Sequence, residues 1–475
     1  MPTRRTVMKA SGAVLLPTAA YGASALAASQ PNSRDTGSPR ADVPEPFSVR
    51  MPIPATLAPV TRTATTDFYV MTARKAKVPI LRGAPTEVYG YNGQFPGPTI
   101  RATAGRRVVI AQTNQLDMDT AVHLHGGHTP PASDGFPLDV IAPGGTRVYE
   151  YPNRQQATTL WYHDHAHHME SEHVYRGLEG FYLIEDPRED ALGLPSGAFD
   201  VPIMLRDARF DDDGGLLFVP EDFQNRTTIL TNGRPQPYFP VAARRYRLRL
   251  LNGANLRTFT LRLGAGEEMV QISTDGGLLG APVTTRDIKL SPGERVDVIV
   301  DFTGRPAGTQ VILADDTAGA VLRFDVGRPA YDASRVPAVL RPLPPLGEAD
   351  VVRRFSLGID PQDFTFKING RAFDPDRVDT TIRRGDTEVW EVTNGDTFTI
   401  PHNFHMHLVQ FRVLSRNGQP PAPSEAGWKD TVPLQPGETV RLQATFNGPV
   451  GRYVYHCHLI DHSSHAMMAT MEITE

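Results

Sequence analysis

Cys457 is the only cysteine in a chain of 475 residues, and it lies in the stretch "YHCHLIDHSSHAMM" (455–468), between His456 and His458 and shortly before His462 and Met467. One cysteine excludes an intrachain disulfide and a cysteine-rich zinc site. What remains is a lone buried thiol or a lone thiolate ligand. One thiolate, two imidazoles and a weak axial thioether make up the ligand set of a blue copper centre. Cys457, His462 and Met467 offer three of these, so one more histidine must come from elsewhere. If "YVYHCHL" is a strand, alternation points His456 and His458 to one face and Cys457 to the other, and one short segment touches two metal sites.

The other histidines strengthen this reading. The chain has 15, none of them between residues 174 and 401, and they fall into four groups: "HLHGGH" (123–128), "HDHAHHMESEH" (163–173), "HNFHMH" (402–407) and "HCHLIDHSSH" (456–465). Each group holds an H-x-H pair: His123 with His125, His163 with His165, His405 with His407, and His456 with His458. A single such pair is as readily a solvated strand feature. Four pairs, each able to aim two imidazoles from one strand face, supply eight ligands for a shared cluster.

With these residues in view, the chain resembles the multicopper oxidases, the family of laccases, bilirubin oxidases and cuprous oxidases. The segments "HLHG", "WYHDHA", "HNFHMHLVQFRVL" and "HCHLIDHSSHAMM" match the family's four signatures in order, and "GWKDTV" (427–432) and "YRGLEGFYLIED" (175–186) extend the likeness over nearly the whole chain. The resemblance implies four coppers. A type 1 copper would be bound by His402, Cys457 and His462 with Met467 axial. His123 and His405 would hold the type 2 copper, and His125, His163, His165, His407, His456 and His458 the type 3 pair. It also implies that electrons from an outside donor enter at the type 1 copper, pass through Cys457 to His456 and His458, and reduce dioxygen to water at the cluster.

Two positions depart from the family pattern. Asn403 follows His402 where proline is usual, with Pro401 preceding it instead. Ser463 follows His462 where many relatives carry a glutamate thought to help deliver protons. Asp461 is a nearby alternative, and Asp134 in "ASDGFP" matches the family's other acidic position near the cluster. Asp430 in "GWKDTV" could orient His402 or a substrate, or cap a turn. His128, His167, His168, His173 and His465 are spare and read as solvated or supporting residues; a copper-entry role for the "HAHHMESEH" loop is the alternative.

The organisation of the chain leads to the same fold. "LDVIAPGGTRVYEY" (138–151), "IKLSPGERVDVIVDF" (288–302) and "TVPLQPGETVRLQATF" (431–446) resemble one another, with Pro143, Pro292 and Pro436 nearly evenly spaced. A strand ending in asparagine recurs at Asn114, Asn252 and Asn394. A repeat this long is a copied domain rather than a solenoid unit. Within it Val296, Val298, Val300 and Phe302 alternate with residues read as less buried, and 41 glycines and 42 prolines punctuate the chain as turns. The expectation is an all-β protein of three cupredoxin-like Greek-key β-sandwich domains. These are domain 1 at 45–190, domain 2 at 191–345 without copper ligands, and domain 3 at 346–475 with the type 1 copper. The second domain, lacking histidine, reads as a spacer, and a cluster needing all four pairs must lie between the terminal domains.

At the N-terminus Arg4-Arg5, a modestly apolar stretch and the small residues ending at Ala27 fit a twin-arginine signal (1–27). Thr3 and Lys9 favour export over a disordered basic tail. Residues 28–44, polar and rich in Pro and Ser, read as a disordered lead-in. The expected location is periplasmic or secreted, with the Tat export machinery as a transient partner. The apolar run is too short for a mature membrane anchor. A net charge of −5 with dispersed basic residues gives no reason to expect nucleic acid. The expected partners are a small-molecule electron donor and dioxygen, and the expected state is a monomer. No methionine occurs in 303–400; soft thioethers suit Cu(I), so laccase-type oxidation of phenols, aromatic amines or bilirubin-like pigments is preferred over cuprous oxidation. A copper-free exported scaffold of the same fold is the reading from a different class.

Overall fold

Side-chain alternation builds the sheets. In the strand Arg107–Asn114, Val108, Ile110, Gln112 and Asn114 are buried while Arg107 faces out, the period-2 pattern of a strand with one face on a core. The computed structural model describes residues 41–475. The twin-arginine segment and all but the last four residues of the expected lead-in lie outside the described residues.

The strands form six sheets in three consecutive pairs. Residues 61–185 make a five- and a four-stranded sheet, 200–329 a seven- and a five-stranded sheet, and 351–474 two five-stranded sheets. The fold is all-β, of cupredoxin-like sandwiches, and each pair of sheets encloses its own apolar core.

The repeated asparagines have one physical purpose. Each ends a strand that pairs parallel with the first long strand of its unit and antiparallel with the strand following the Pro-Gly turn. The amide of each then staples the turn. Asn114 Nδ2 donates to the Ile141 carbonyl, Asn252 Nδ2 to Leu290 and Asn394 Nδ2 to Leu434. Each Oδ1 accepts the N–H two residues on, at Leu116, Ala254 and Asp396. Such buried amides are retained because every donor and acceptor is matched.

Two expectations change. The strand Arg295–Asp301 is not half exposed: Arg295, Asp297 and Ile299 are buried along with the valines. It lies inside the seven-stranded sheet, and its second face packs against the first pair of sheets, where Thr159 Oγ1 donates to Asp297 Oδ1 at 2.9 Å. The polar alternation marks a charged interface instead of solvent. Residues 47–51, expected with the first domain, run beside Tyr238 and put Met51 into the second core.

Candidate metal centres

The H-x-H pairs meet through strand register. Val122–His125 lies antiparallel to Thr158–Asp164 with His123 opposite His163. His402–Met406 lies antiparallel to Gly451–His456 with His405 opposite His456. The two strand pairs, from the first and third pairs of sheets, face each other so that His123 stacks on His407 at 3.6 Å and His125 on His405 at 3.8 Å. All eight histidines are buried.

The strand expected through Leu459 stops at His456. Beyond it the Cys457 N–H bonds to the Met467 carbonyl, and the His458 N–H to the side chain of Asn403, in place of a ladder partner. The division of faces survives: His456 and His458 join the cluster, and Cys457 does not.

Hydrogen-bond accounting fixes which ring nitrogens face inward. Nδ1 of His123, His163, His405 and His456 each meets a backbone carbonyl, of Asp134, Asp164, Asp430 and Cys457. A carbonyl only accepts, so each Nδ1 carries the proton and each Nε2 presents a lone pair. Nε2 of His123, His163 and His405, Nδ1 of His125 and both nitrogens of His458 have no protein partner. His407 Nε2 and His165 Nε2 stand 3.2 and 3.3 Å from the His456 Nε2 lone pair. Burial pushes His163 down to about 3 and His456 to about 4, so the rings are neutral. Lone pairs converging in a buried space, each costing about 1–3 kcal/mol if unmatched, are what a metal cluster satisfies.

The second convergence is smaller. His402 Nε2 pairs with Asp396 Oδ2 at 3.0 Å and His462 Nε2 lies 3.4 Å from Glu221 Oε2, which turns both Nδ1 atoms inward. These Nδ1 atoms are 3.1 Å apart, and Cys457 Sγ lies 3.8 and 3.6 Å from them. Burial alone would raise the Cys457 thiol, but the two imidazoles bring it down to about 6. Against the same burial, Cys457 and Glu221 push His462 up to about 10. The pocket therefore favours a thiolate beside a positive charge. Met467 is fully buried in the same core as Cys457, and its N–H bonds to the His462 carbonyl.

Comparison with known proteins decides the family. Multicopper oxidase family models match residues 72–189, 220–328 and 347–475. A laccase of Bacillus subtilis is 36% identical over 91% of this chain and 99% of its own. The chain belongs to the multicopper oxidase family. A bilirubin oxidase of Albifimbria verrucaria is also 36% identical, over 82% of this chain and 73% of its own. The solved laccase of Pediococcus acidilactici superposes with a TM-score of 0.86 at 32% identity, covering 91% of this chain and 95% of that one. The protein is thus an oxidoreductase that uses dioxygen. Copper is the metal the family implies, and the donors fit it: unpartnered imidazole nitrogens in one nest, and a thiolate with two imidazoles in the other.

Around the two nests of this oxidase stand residues that sequence reasoning missed or left open. Asp430 does not touch His402, whose partner is Asp396. Its Oδ1 lies 2.9 Å from His125 Nε2 and its carboxylate is gripped by Arg295 through two 2.7 Å bonds. Arg295 comes from the second pair of sheets, so that unit does more than hold its two neighbours against each other. Its turn also abuts the cluster: a Cβ on Gly293 would lie 2.9 Å from His458 Nδ1 and 3.1 Å from His125 Cε1, on a backbone with φ of +87°. Gly293→Ala is therefore expected to destabilise the fold by about 1–3 kcal/mol and to lower copper content. Denaturant unfolding and metal analysis check this; wild-type values in both would refute it.

The acids also sort themselves. Asp134 is fully buried, its carbonyl accepting from His123 and its Oδ2 lying 2.7 Å from His407 Nδ1. Burial pushes it up to about 8. Asp461 accepts from Ser171, Asn255, Arg226 and the Glu221 N–H, a knot joining all three pairs of sheets. Glu170, on the short helix Glu170–Arg176, accepts from Ser463 Oγ and brings Oε2 to 3.2 Å from His165 Nδ1, without the alignment of a hydrogen bond. Burial raises it to about 8. Of the spare histidines, His173 supports Asp164 at 3.1 Å and His168 bonds to the Ser464 carbonyl at 2.9 Å. His128 is half-buried with its N–H donating to Gln155 Oε1, His167 packs on His168 and Phe373, and His465 Nδ1 donates to the Asp461 carbonyl.

Proposed function

We propose that the chain is a laccase-type oxidase with four coppers, which couples one-electron oxidation of small organic donors to reduction of dioxygen to water. Bound copper supplies the one-electron redox chemistry at Cys457 and the dioxygen chemistry among the eight histidines. The observation that carries the reading is the convergence of unpartnered nitrogens in two nests joined by the peptide links of His456-Cys457-His458. In the larger nest His123 and His405 would hold the type 2 ion and His125, His163, His165, His407, His456 and His458 the type 3 pair. In the smaller nest His402, Cys457, His462 and Met467 would hold the type 1 ion. The hydrogen bond from His456 Nδ1 to the Cys457 carbonyl, 2.9 Å long, adds a second contact between the nests.

Aromatic side chains beside His462 support organic donors. Phe366 packs 4.7 Å from the imidazole, and the exposed rings of Phe364 and Phe398 lie 5.7 Å apart on the segments that carry Phe366 and Asp396. A flat donor can stack there while the Glu221 carboxylate accepts from its hydroxyl or amine. Metal analysis with a donor screen tests the reading. About four coppers per chain and efficient oxidation of phenols or aromatic amines support it; efficient oxidation of Cu(I) alone would replace it by the cuprous reading.

Proton supply to the cluster falls to Asp134 beside His407 and to Glu170 beside His165. Glu170 comes from another element than the family's usual glutamate, and its carboxyl meets Ser463, the residue standing in that place. Asp461, saturated by four donors, positions the segment around His462. Glu170→Gln is expected to slow dioxygen consumption about 10²-fold with copper content unchanged; an unchanged rate would refute the assignment. No helix among the described residues is long and apolar enough to cross a membrane. Export as a monomer through the twin-arginine pathway completes the proposal, and replacing Arg4-Arg5 by Lys-Lys, with fractionation, tests it.

A further inference from the structure

Asn403 stands where the family usually carries proline, and it is fully buried between the two nests. Its amide makes contacts no proline can make. Nδ2 donates to Ser291 Oγ and to the Pro292 carbonyl, both at 3.0 Å, on the turn of the second pair of sheets. Oδ1 accepts the His458 N–H at 2.6 Å and lies 3.5 Å from Cys457 Sγ. The orientation is not free to reverse. The Pro292 carbonyl only accepts and the His458 N–H only donates, so the oxygen must face Cys457 and His458 and the nitrogen must face Pro292.

The consequence lies at the sulfur. A thiol can donate to Oδ1, but a thiolate bound to a metal cannot, so the negative end of the amide dipole then faces the sulfur without a proton between them. Negative potential beside a thiolate-bound ion favours the higher oxidation state, and hydrogen bonding around the cysteine sulfur is a recognised control on potential. We propose that Asn403 is a positioning residue that seats the Cys457–His458 segment against the second pair of sheets and biases the copper at Cys457 toward its oxidised form. This rests on the assignment of a copper to His402, Cys457 and His462 above.

The test is a poised redox titration of the visible band in copper-loaded full-length protein. Asn403→Leu keeps the side-chain shape and removes both dipole ends, and Asn403→Asp keeps an oxygen by the sulfur and adds charge. The leucine variant is expected to raise the potential by roughly tenfold in the oxidised-to-reduced ratio at fixed poise, which is about 59 mV for a one-electron couple. The aspartate variant is expected to lower it. Opposite shifts support the proposal, because a purely structural disturbance has no reason to change sign with charge. Shifts in the same direction, or no shift in either variant, overturn it. If the leucine variant fails to fold, the aspartate variant decides alone, and an unchanged or raised potential overturns the proposal. Wild-type protein that loads copper but shows no blue band would instead overturn the assignment on which this one rests.

Discussion

Cys457→Ser is expected to lose the intense blue band, to carry about three coppers per chain in place of four, and to oxidise organic donors roughly 10³-fold more slowly or worse, the scale of about 4 kcal/mol in a barrier. The substitution is nearly isosteric at a position with no exposed surface, so the sandwich around it has little to readjust. What disappears is chemical. A serine hydroxyl stays protonated where the thiol is brought down to about 6 by His402 and His462, and a hard neutral oxygen does not replace a soft thiolate as a copper ligand. The eight cluster histidines keep their places, four of them through Nδ1 anchors on backbone carbonyls, so the larger nest should still fill. Metal analysis, the visible spectrum and donor kinetics on one preparation separate the cases. A blue band surviving the loss of the chain's one thiol would refute the assignment of that band to Cys457. Equal loss of all copper would mean that the two nests do not load independently.

Histidine and cysteine were legible because they are scarce. Fifteen histidines in four groups and one cysteine leave few ways to be arranged, and the H-x-H spacing carries its own geometry in a strand. The three-fold repeat was legible because Asn114, Asn252 and Asn394 perform the same stapling of the same turn. The supporting residues were hidden for the opposite reason. Glu170 and Arg295 belong to common residue types, and each acquires its role from a partner distant in the chain; Asp396 is of a common type too, and nothing in its spacing from His402 marks it. Arg295 meets Asp430 across 135 positions, and Ser463 meets Glu170 across 293. Arg295 was further disguised by alternation, which reads an arginine on the face opposite the valines as solvent-facing; only the docking of a neighbouring sheet makes that face an interior.

That interior gives the second large effect. Arg295→Met is expected to destabilise the folded protein by about 3–5 kcal/mol and to lower the copper content of the eight-histidine nest while the blue band persists. Arg295 has no exposed surface and spends its donors on the Thr159, Gly293 and Asp275 carbonyls as well as on both oxygens of Asp430. Its loss unpins the Gly293 turn and leaves the Asp430 carboxylate buried without its cation. Asp430 is raised by burial and lowered by Arg295, so without the arginine it takes up a proton and becomes a weaker acceptor for His125 Nε2. The hold that turns the unpartnered Nδ1 of His125 into the nest is then weakened, with Thr431 Oγ1 at 3.0 Å left as its other partner. The blue band should persist, because His402 and His462 lean on Asp396 and Glu221 instead, although its potential can move with the turn that holds Asn403. Denaturant unfolding of the apoprotein with metal analysis and spectra of the loaded variant read these outcomes apart. Stability within about 1 kcal/mol of wild type would show that the Arg295–Asp430 pair is replaceable and that the second pair of sheets bears on the cluster by shape alone. Loss of the blue band together with the cluster metal would show that the two nests stand on one shared support.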